Sequence, residues 1–125
     1  MANPNIVNVT VIYGTTTYLE PTDTAANVLL SNAASSGLVY KINQIVCANV
    51  NGASAVNATV AINNAAAGAG TSFPVISTIS VPASASVIAV DKTTAIYLME
   101  NSSIVVTSGT ASGISYTLSY ESIAA

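Results

Sequence analysis

Few side chains in this sequence are of the types that carry out acid–base chemistry. The 125 residues include no histidine and only two cationic and five acidic side chains. The charged residues are Lys41, Lys92, Glu20, Asp23, Asp91, Glu100 and Glu121. A general acid–base catalyst needs a pKa near the working pH, and histidine is the usual choice. Because the carboxylates lie beside turn signals or near a chain end, the sequence predicts a protein that is not an enzyme and has no catalytic residue.

The sequence also has few residues of the types that bind metals or cofactors. Cys47 is the only cysteine, so the chain cannot form an internal disulfide or a zinc cluster. It lies in an apolar run, and we expect a buried, unreactive thiol because a reactive cysteine needs a basic partner. No calcium-loop pattern of spaced carboxylates occurs. We therefore expect no metal site and no cofactor.

The low charge also bears on partners and on location. Charged residues make up 6 % of the chain, against about one quarter in ordinary soluble domains. Two lysines cannot form the basic patch that nucleic acids and anionic lipids require. The first residues lack the basic and apolar regions of a secretion signal, and no stretch approaches the roughly 20 apolar residues of a membrane helix. We expect a protein made in a cytoplasm, with no nucleic acid and no membrane as partner.

The same composition favours assembly. Hydrophobic residues make up 51 % of the chain, and the net charge is −3. Surfaces with so little charge promote association, and obligate interfaces bury apolar and small side chains. The sequence predicts a homo-oligomer, with a trimer as the specific form.

The elements that must position any site are short runs of β-branched residues. Turn residues separate them at intervals of roughly ten residues, which is typical of a sandwich or barrel. Alternation is cleanest near the end of the sequence, where Ile114, Tyr116, Leu118 and Tyr120 share one face. The sequence predicts an all-β fold in one domain over residues 1–125. We expect a single antiparallel β-sandwich of about 8 strands, with jelly-roll-like and immunoglobulin-like topologies both open.

Three local features are also predicted. Residues 6–13 alternate and indicate the first strand. The alternation slips near Asn43 and Gln44, which indicates a β-bulge. Residues 64–71 are rich in alanine and glycine and indicate a mobile loop.

Contacts with partners are predicted before the first strand, in the polar stretch that follows it, and in a late strand. Tyr18 lies in a polar stretch, and Tyr97 is out of phase with its apolar neighbours, so both are candidates to face a partner. Residues 1–5 form a polar, proline-containing segment before the first strand, and we expect an N-terminal arm that reaches a neighbouring molecule. The contact residues predicted for this arm are Ala2, Asn3, Pro4 and Asn5.

Four blocks of the sequence carry a resemblance to known proteins. They are MANPNIVNVT, SSGLVYKINQIVCANVNG, ISVPASASVIAVDKTTAIYLMENSSIVV and SYESIA. Over most of the chain, these blocks resemble small virion structural proteins of tailed phages that infect cyanobacteria and other aquatic bacteria. The resemblance implies a component of the virion, made in the host cytoplasm and present in many copies. It carries no catalytic signature and implies no functional residue at a particular position.

Three functions are open from the sequence. The first is a capsid decoration or cement protein that stabilises the shell by burying surface between capsomers. Its partners would be other copies of itself and the major capsid protein or other virion proteins. The second is a structural protein of the neck, tail or fibre. The third is a β-sandwich module that binds the host surface, although the lack of tryptophan disfavours stacking on sugars.

Overall fold

A computed structural model describes residues 4–124 of the chain. These residues form nine β-strands and one 3₁₀ turn, Lys92–Thr94, with no α-helix among them. The strands are β1 (Val11–Leu19), β2 (Asn27–Asn32), β3 (Leu38–Asn49), β4 (Val56–Asn63), β5 (Ser72–Val81), β6 (Ser86–Val90), β7 (Ile96–Leu98), β8 (Ser102–Ser108) and β9 (Ile114–Ala124). Within this part of the chain, no helix has the length and apolar character needed to cross a bilayer. The predicted all-β fold is confirmed.

The strands form two antiparallel sheets that face each other as a sandwich. Sheet A has the order β1-β9-β3-β6, with β7 also paired to β3, and sheet B has the order β2-β8-β4-β5. Since β6 and β7 pair with successive parts of β3, they share one edge position. The pairs are nested, the first strand with the last, the second with the next to last, and the fourth with the fifth. This is the order of a jelly roll, whereas the first strand of an immunoglobulin sandwich pairs with the second.

The core lies between the sheets and is built from every second residue of the central strands. In β9, Ile114, Tyr116 and Leu118 are fully buried, as their alternation predicts. Tyr116 is the largest of these buried side chains, and its Oη donates a 2.6 Å hydrogen bond to the backbone O of Thr107. Cys47 lies opposite Tyr116 in the register and is a buried free cysteine, as expected. Residues opposite each other in neighbouring strands share a face of the sheet, so the inward residues of β9 lie beside the inward residues of β1 and β3.

The first strand differs from its prediction. The expected strand covered residues 6–13, but β1 begins at Val11 and continues through the threonine-rich stretch to Leu19. Threonine is β-branched and favours extended backbone, and all nine residues of β1 pair with β9 without a register shift. The predicted bulge is confirmed, because the pairing of β3 with β9 shifts between Ile42 and Gln44.

Three buried asparagines fasten loops to the sandwich. Asn32 Nδ2 donates hydrogen bonds to the backbone O of Leu38 and of Leu98, at 3.0 and 3.1 Å. In the same way, Asn49 and Asn63 donate hydrogen bonds to the backbone O of Ser54 and of Gly70 in two other connections. An amide satisfies buried backbone groups without adding a charge. The fold therefore obtains buried polar contacts from a composition that has few ionic groups.

Candidate assembly surface

The predicted N-terminal contact residues lie partly outside the described part of the chain. Ala2 and Asn3 are outside it, while Pro4 is half-buried and Asn5 is exposed. Asn5 Oδ1 accepts a 2.9 Å hydrogen bond from the backbone N–H of Val7, which closes a turn. From this turn the chain runs along the outer face of sheet A, the face that points away from sheet B. An arm formed by residues before Pro4 stays a prediction.

Two of the predicted contact residues, Pro4 and Tyr97, meet in an apolar depression on this outer face. Ile6, Val39 and Met99 complete its lining, and its volume is about 280 Å³. Val39 is only 2 % exposed, although it points away from the sandwich core. Tyr97 and Met99 are 46 % and 56 % exposed. An apolar hollow with exposed walls is the type of surface that protein interfaces bury.

Tyr18 lies on the same outer face but at the opposite end of the sheet. It is 76 % exposed and is opposite Thr117 in the register. Tyr97 is opposite Lys41, which is in turn opposite Glu121. Along β9, the distance from Thr117 to Glu121 is about 13 Å. The two tyrosines therefore do not form one contact site. Each is an exposed apolar side chain at one end of the outer face.

A polar pocket of about 490 Å³ lies between these two ends. Its lining consists of Asn43, Gln44, Asp91, Lys92, Thr93 and Ser119. Asp91 Oδ1 accepts a 2.9 Å hydrogen bond from the backbone N–H of Thr93, and the hydrogen bonds from Thr93 and Thr94 lower the pKa of this carboxyl. The carboxylate is ionised at neutral pH and stabilises the 3₁₀ turn. The pocket can hydrogen-bond a polar ligand. Over residues 4–124, no three His, Cys, Asp or Glu side chains are grouped so that they could hold a metal ion.

The outer face of sheet B is covered in part by the loop of residues 64–71. Ser103 Oγ donates a 2.8 Å hydrogen bond to the backbone O of Ala65 in this loop. A Cβ built on Gly68 would lie 3.0 Å from Val28 Cγ2 and 3.2 Å from Val105 Cγ1, so the loop backbone packs directly on the sheet. The loop predicted to be mobile is thus fastened to sheet B. Exposed apolar side chains lie on the outer face of sheet A, on strand β1 and on strand β5, where Phe73 is an example.

Strand β1 is exposed on both of its faces. Ile12 on the outer face is 51 % exposed, and Tyr13 on the inner face is 66 % exposed. The inner face of a sandwich strand normally packs on the opposite sheet. The strand of sheet B that lies across the sandwich from β1 is its edge strand β2. Strand β2 has only six residues, whereas β1 has nine. Part of the inner face of β1 therefore has no strand opposite it.

Sequence reasoning identified Tyr97 because it does not share the face of Ile96 and Leu98, but it missed the depression that Tyr97 lines. Val39 stands between Leu38 and Tyr40, but three consecutive apolar residues are fewer than the four to eight that indicate a strand covered on both faces. That signal was too short to place a covering segment over β3. It could not have identified the segment, because residues 4–10 approach β3 only in the folded chain.

No protein-family model matches the chain, and no curated protein matches it significantly. Neither comparison therefore assigns a role to the outer face of sheet A.

Proposed function

We propose that this protein is a structural protein of a tailed-phage virion, and more specifically a decoration or cement protein of the capsid. It is made in the host cytoplasm and binds the assembled shell, where it contacts the major capsid protein or other virion proteins and further copies of itself. It stabilises the shell by burying its own apolar surface across adjacent capsomers. It performs no catalysis in this role.

One observation carries the proposal beyond the sequence resemblance. The outer face of sheet A presents exposed apolar side chains at both ends, Tyr97 and Met99 at one and Tyr18 at the other. Single exposed apolar side chains are normal on a monomer, but the apolar depression lined by Tyr97 and Met99 is the type of surface that interfaces bury. The jelly-roll order agrees with this role because viral capsid domains use it, although lectins and cupins use it as well. Fold alone is only an analogy for function.

The number of copies per particle tests the decoration role. Quantitative mass spectrometry of purified virions should give a fixed ratio of this protein to the major capsid protein. The number of copies per particle should be about the number of capsomers in the shell. Cryo-electron microscopy should place the copies on the icosahedral shell. A small number of copies at the portal vertex would refute decoration and support a neck, tail or fibre position.

A pair of variants tests which face binds. Met99→Glu places a charge beside the apolar depression, and we expect it to weaken binding to shells lacking the protein by at least about tenfold, since a buried unpaired charge is costly. Val50→Glu is the matched control, because Val50 is 53 % exposed against 56 % for Met99 and lies beyond the opposite end of β3. Equal binding by both variants would show that the depression is not the contact.

The polar pocket supports one different function, a module that binds host glycans. Amide, hydroxyl and charged groups line it, and its volume of about 490 Å³ is suitable for a small polar ligand. A glycan array with the purified protein tests this directly. Specific binding that Gln44→Ala abolishes would favour the module over the decoration role.

A further inference from the structure

The four sheet edges formed by residues 4–124 are protected to very different degrees. Exposed edges invite pairing with another strand, and proteins block them with short strands, bulges, prolines and charges. Strand β2 has six residues and a register shift between Val28 and Leu30. Strand β5 contains Pro74, and its pairing with β4 has two register shifts. The β6 and β7 edge consists of five-residue and three-residue strands, with Asp91 and Lys92 between them.

Strand β1 has none of these protections. Its nine residues, VIYGTTTYL, include no proline and no charged side chain. It pairs with β9 over its full length without a register shift, so its free edge is regular. Every residue of β1 is exposed or half-exposed. This edge is therefore a template for one more antiparallel strand.

We propose that β1 pairs with β1 of a second copy, antiparallel and across a two-fold axis at Thr15. This register places Ile12 opposite Tyr18 of the other copy on the outer face, an aromatic pair with a β-branched residue that stabilises sheets. Thr15 lies opposite Thr15, and Gly14 lies opposite Thr16. The remaining pairs, Val11 with Leu19 and Tyr13 with Thr17, lie on the inner face. Sheet A then continues from one copy into the other.

A second copy fits this edge better than a charged or irregular strand would. The sequence of β1 is self-complementary in this register, with apolar residues at both ends and threonines around the centre. No charge opposes the pairing of two identical strands. The contact is isologous and closes after two copies, so it does not propagate into a fibre.

The size of the contact indicates how strong it is. A pair of nine-residue strands is a small contact compared with the roughly 1,200–2,000 Å² that stable, specific interfaces bury. We expect a reversible dimer with a dissociation constant in the micromolar range. On a particle surface, the high local concentration would shift the equilibrium to the dimer. The inference deepens the self-assembly part of the proposed function and rests on it for its biological meaning, but its test needs only the purified protein.

Sedimentation equilibrium of the full chain, from micromolar to millimolar concentration, tests the pairing. The wild type should show a reversible monomer–dimer equilibrium. Thr15→Lys and Thr15→Glu should each raise the dissociation constant by at least about tenfold, because like charges then face each other at the axis. Ser80→Lys is the control, since Ser80 is an exposed residue of edge strand β5, and it should leave the equilibrium unchanged.

Mixing the two Thr15 variants makes the test specific for the register. Lysine and glutamate then face each other, so an equimolar mixture should recover a heterodimer that neither variant forms alone. Thermal melts that match the wild type would show that both variants are folded. No recovery on mixing, or dimers in either variant alone, would overturn the two-fold pairing.

Other results separate this inference from the proposed function. A wild type that is trimeric, or monomeric at all concentrations, overturns the pairing. If the wild type is monomeric and Thr15→Lys loses binding to shells, the edge accepts a capsid strand, which also overturns it. A dimer of the expected register in a protein absent from virions would uphold the pairing and refute the virion role.

Discussion

Alkaline pH should destabilise this protein through two neighbouring buried side chains. Cys47 on β3 and Tyr116 on β9 are opposite each other in the register, and both are fully buried. Burial raises the pKa of the Cys47 thiol to about 12, and burial is also the main cause that raises the pKa of Tyr116 to about 12. Neither group can ionise in place at a pH where it would ionise in the unfolded chain.

The direction and size of the effect follow from proton linkage. The unfolded chain loses these protons near the ordinary pKa values of 9.0 for cysteine and 10.0 for tyrosine, while the folded chain keeps them. Their contribution to stability is therefore complete below about pH 9 and is lost as pH rises toward the folded pKa values. Each group costs about 1.4 kcal/mol per pH unit in its window. By pH 11 the two together remove about 4 kcal/mol, a large part of the roughly 5–15 kcal/mol that stabilises a domain.

The assay is urea unfolding at a series of pH values, under reducing conditions and followed by circular dichroism. Cys47→Ala is the informative variant because it removes the thiol but keeps Tyr116. We expect it to cost about 1–2 kcal/mol at neutral pH through the small cavity it leaves. Between pH 9 and 10, the wild type should lose about 1.4 kcal/mol, whereas the variant, which keeps only the Tyr116 contribution, should lose about 0.4 kcal/mol. Equal slopes for the two proteins in this interval would refute the assignment to Cys47.

Two further predictions concern the uncharged contacts that fasten the loops. Asn32→Ala removes the hydrogen bonds that its amide donates to the backbone O of Leu38 and of Leu98, so it should lower the free energy of unfolding by about 2–3 kcal/mol in urea titrations. Asn57→Ala, at an exposed position, should change it by less than about 0.5 kcal/mol. A similar small effect of both would show that Asn32 is dispensable. Gly68→Ala should loosen the loop of residues 64–71, because Gly68 has φ of 76° and its Cβ would crowd Val28. Limited proteolysis should cut this loop faster in the variant than in the wild type, and unchanged protection would contradict the packing described.

Strand content was predictable where alternation is undisturbed. Residues 114–121 alternate without interruption, and the strand there has the predicted inward face. The bulge at Asn43 was also visible, because a single extra residue inverts the phase of everything after it. The start of β1 was not predictable, since residues 6–10 alternate as well as residues 11–13 do. What selects Val11 as the first residue is pairing with Ala124, which is remote in the sequence.

The candidate site was less accessible to sequence reasoning than the fold. Tyr97 was identified because it points to the face opposite that of its neighbours Ile96 and Leu98. Alternation of this kind can be read from adjacent residues alone. The burial of Val39 depends on which segment crosses the outer face, and no local rule specifies that. Asn32 and Asn63 look like ordinary turn residues in sequence, and only the folded chain shows that their amides are buried. Topology was open for the same reason, because alternation fixes faces but not neighbours.

The central position of β9 has a consequence for biosynthesis. This strand lies between β1 and β3, so sheet A has no continuous hydrogen-bond network until residues 114–124 are available. On a ribosome, β1 and β3 emerge long before their shared partner. Pairing between such distant segments folds slowly, and the waiting apolar strands are exposed to aggregation. Native sheet A can therefore form only after residues 114–124 have been synthesised, and a chain that stops before Ile114 leaves β1 and β3 without the strand that joins them.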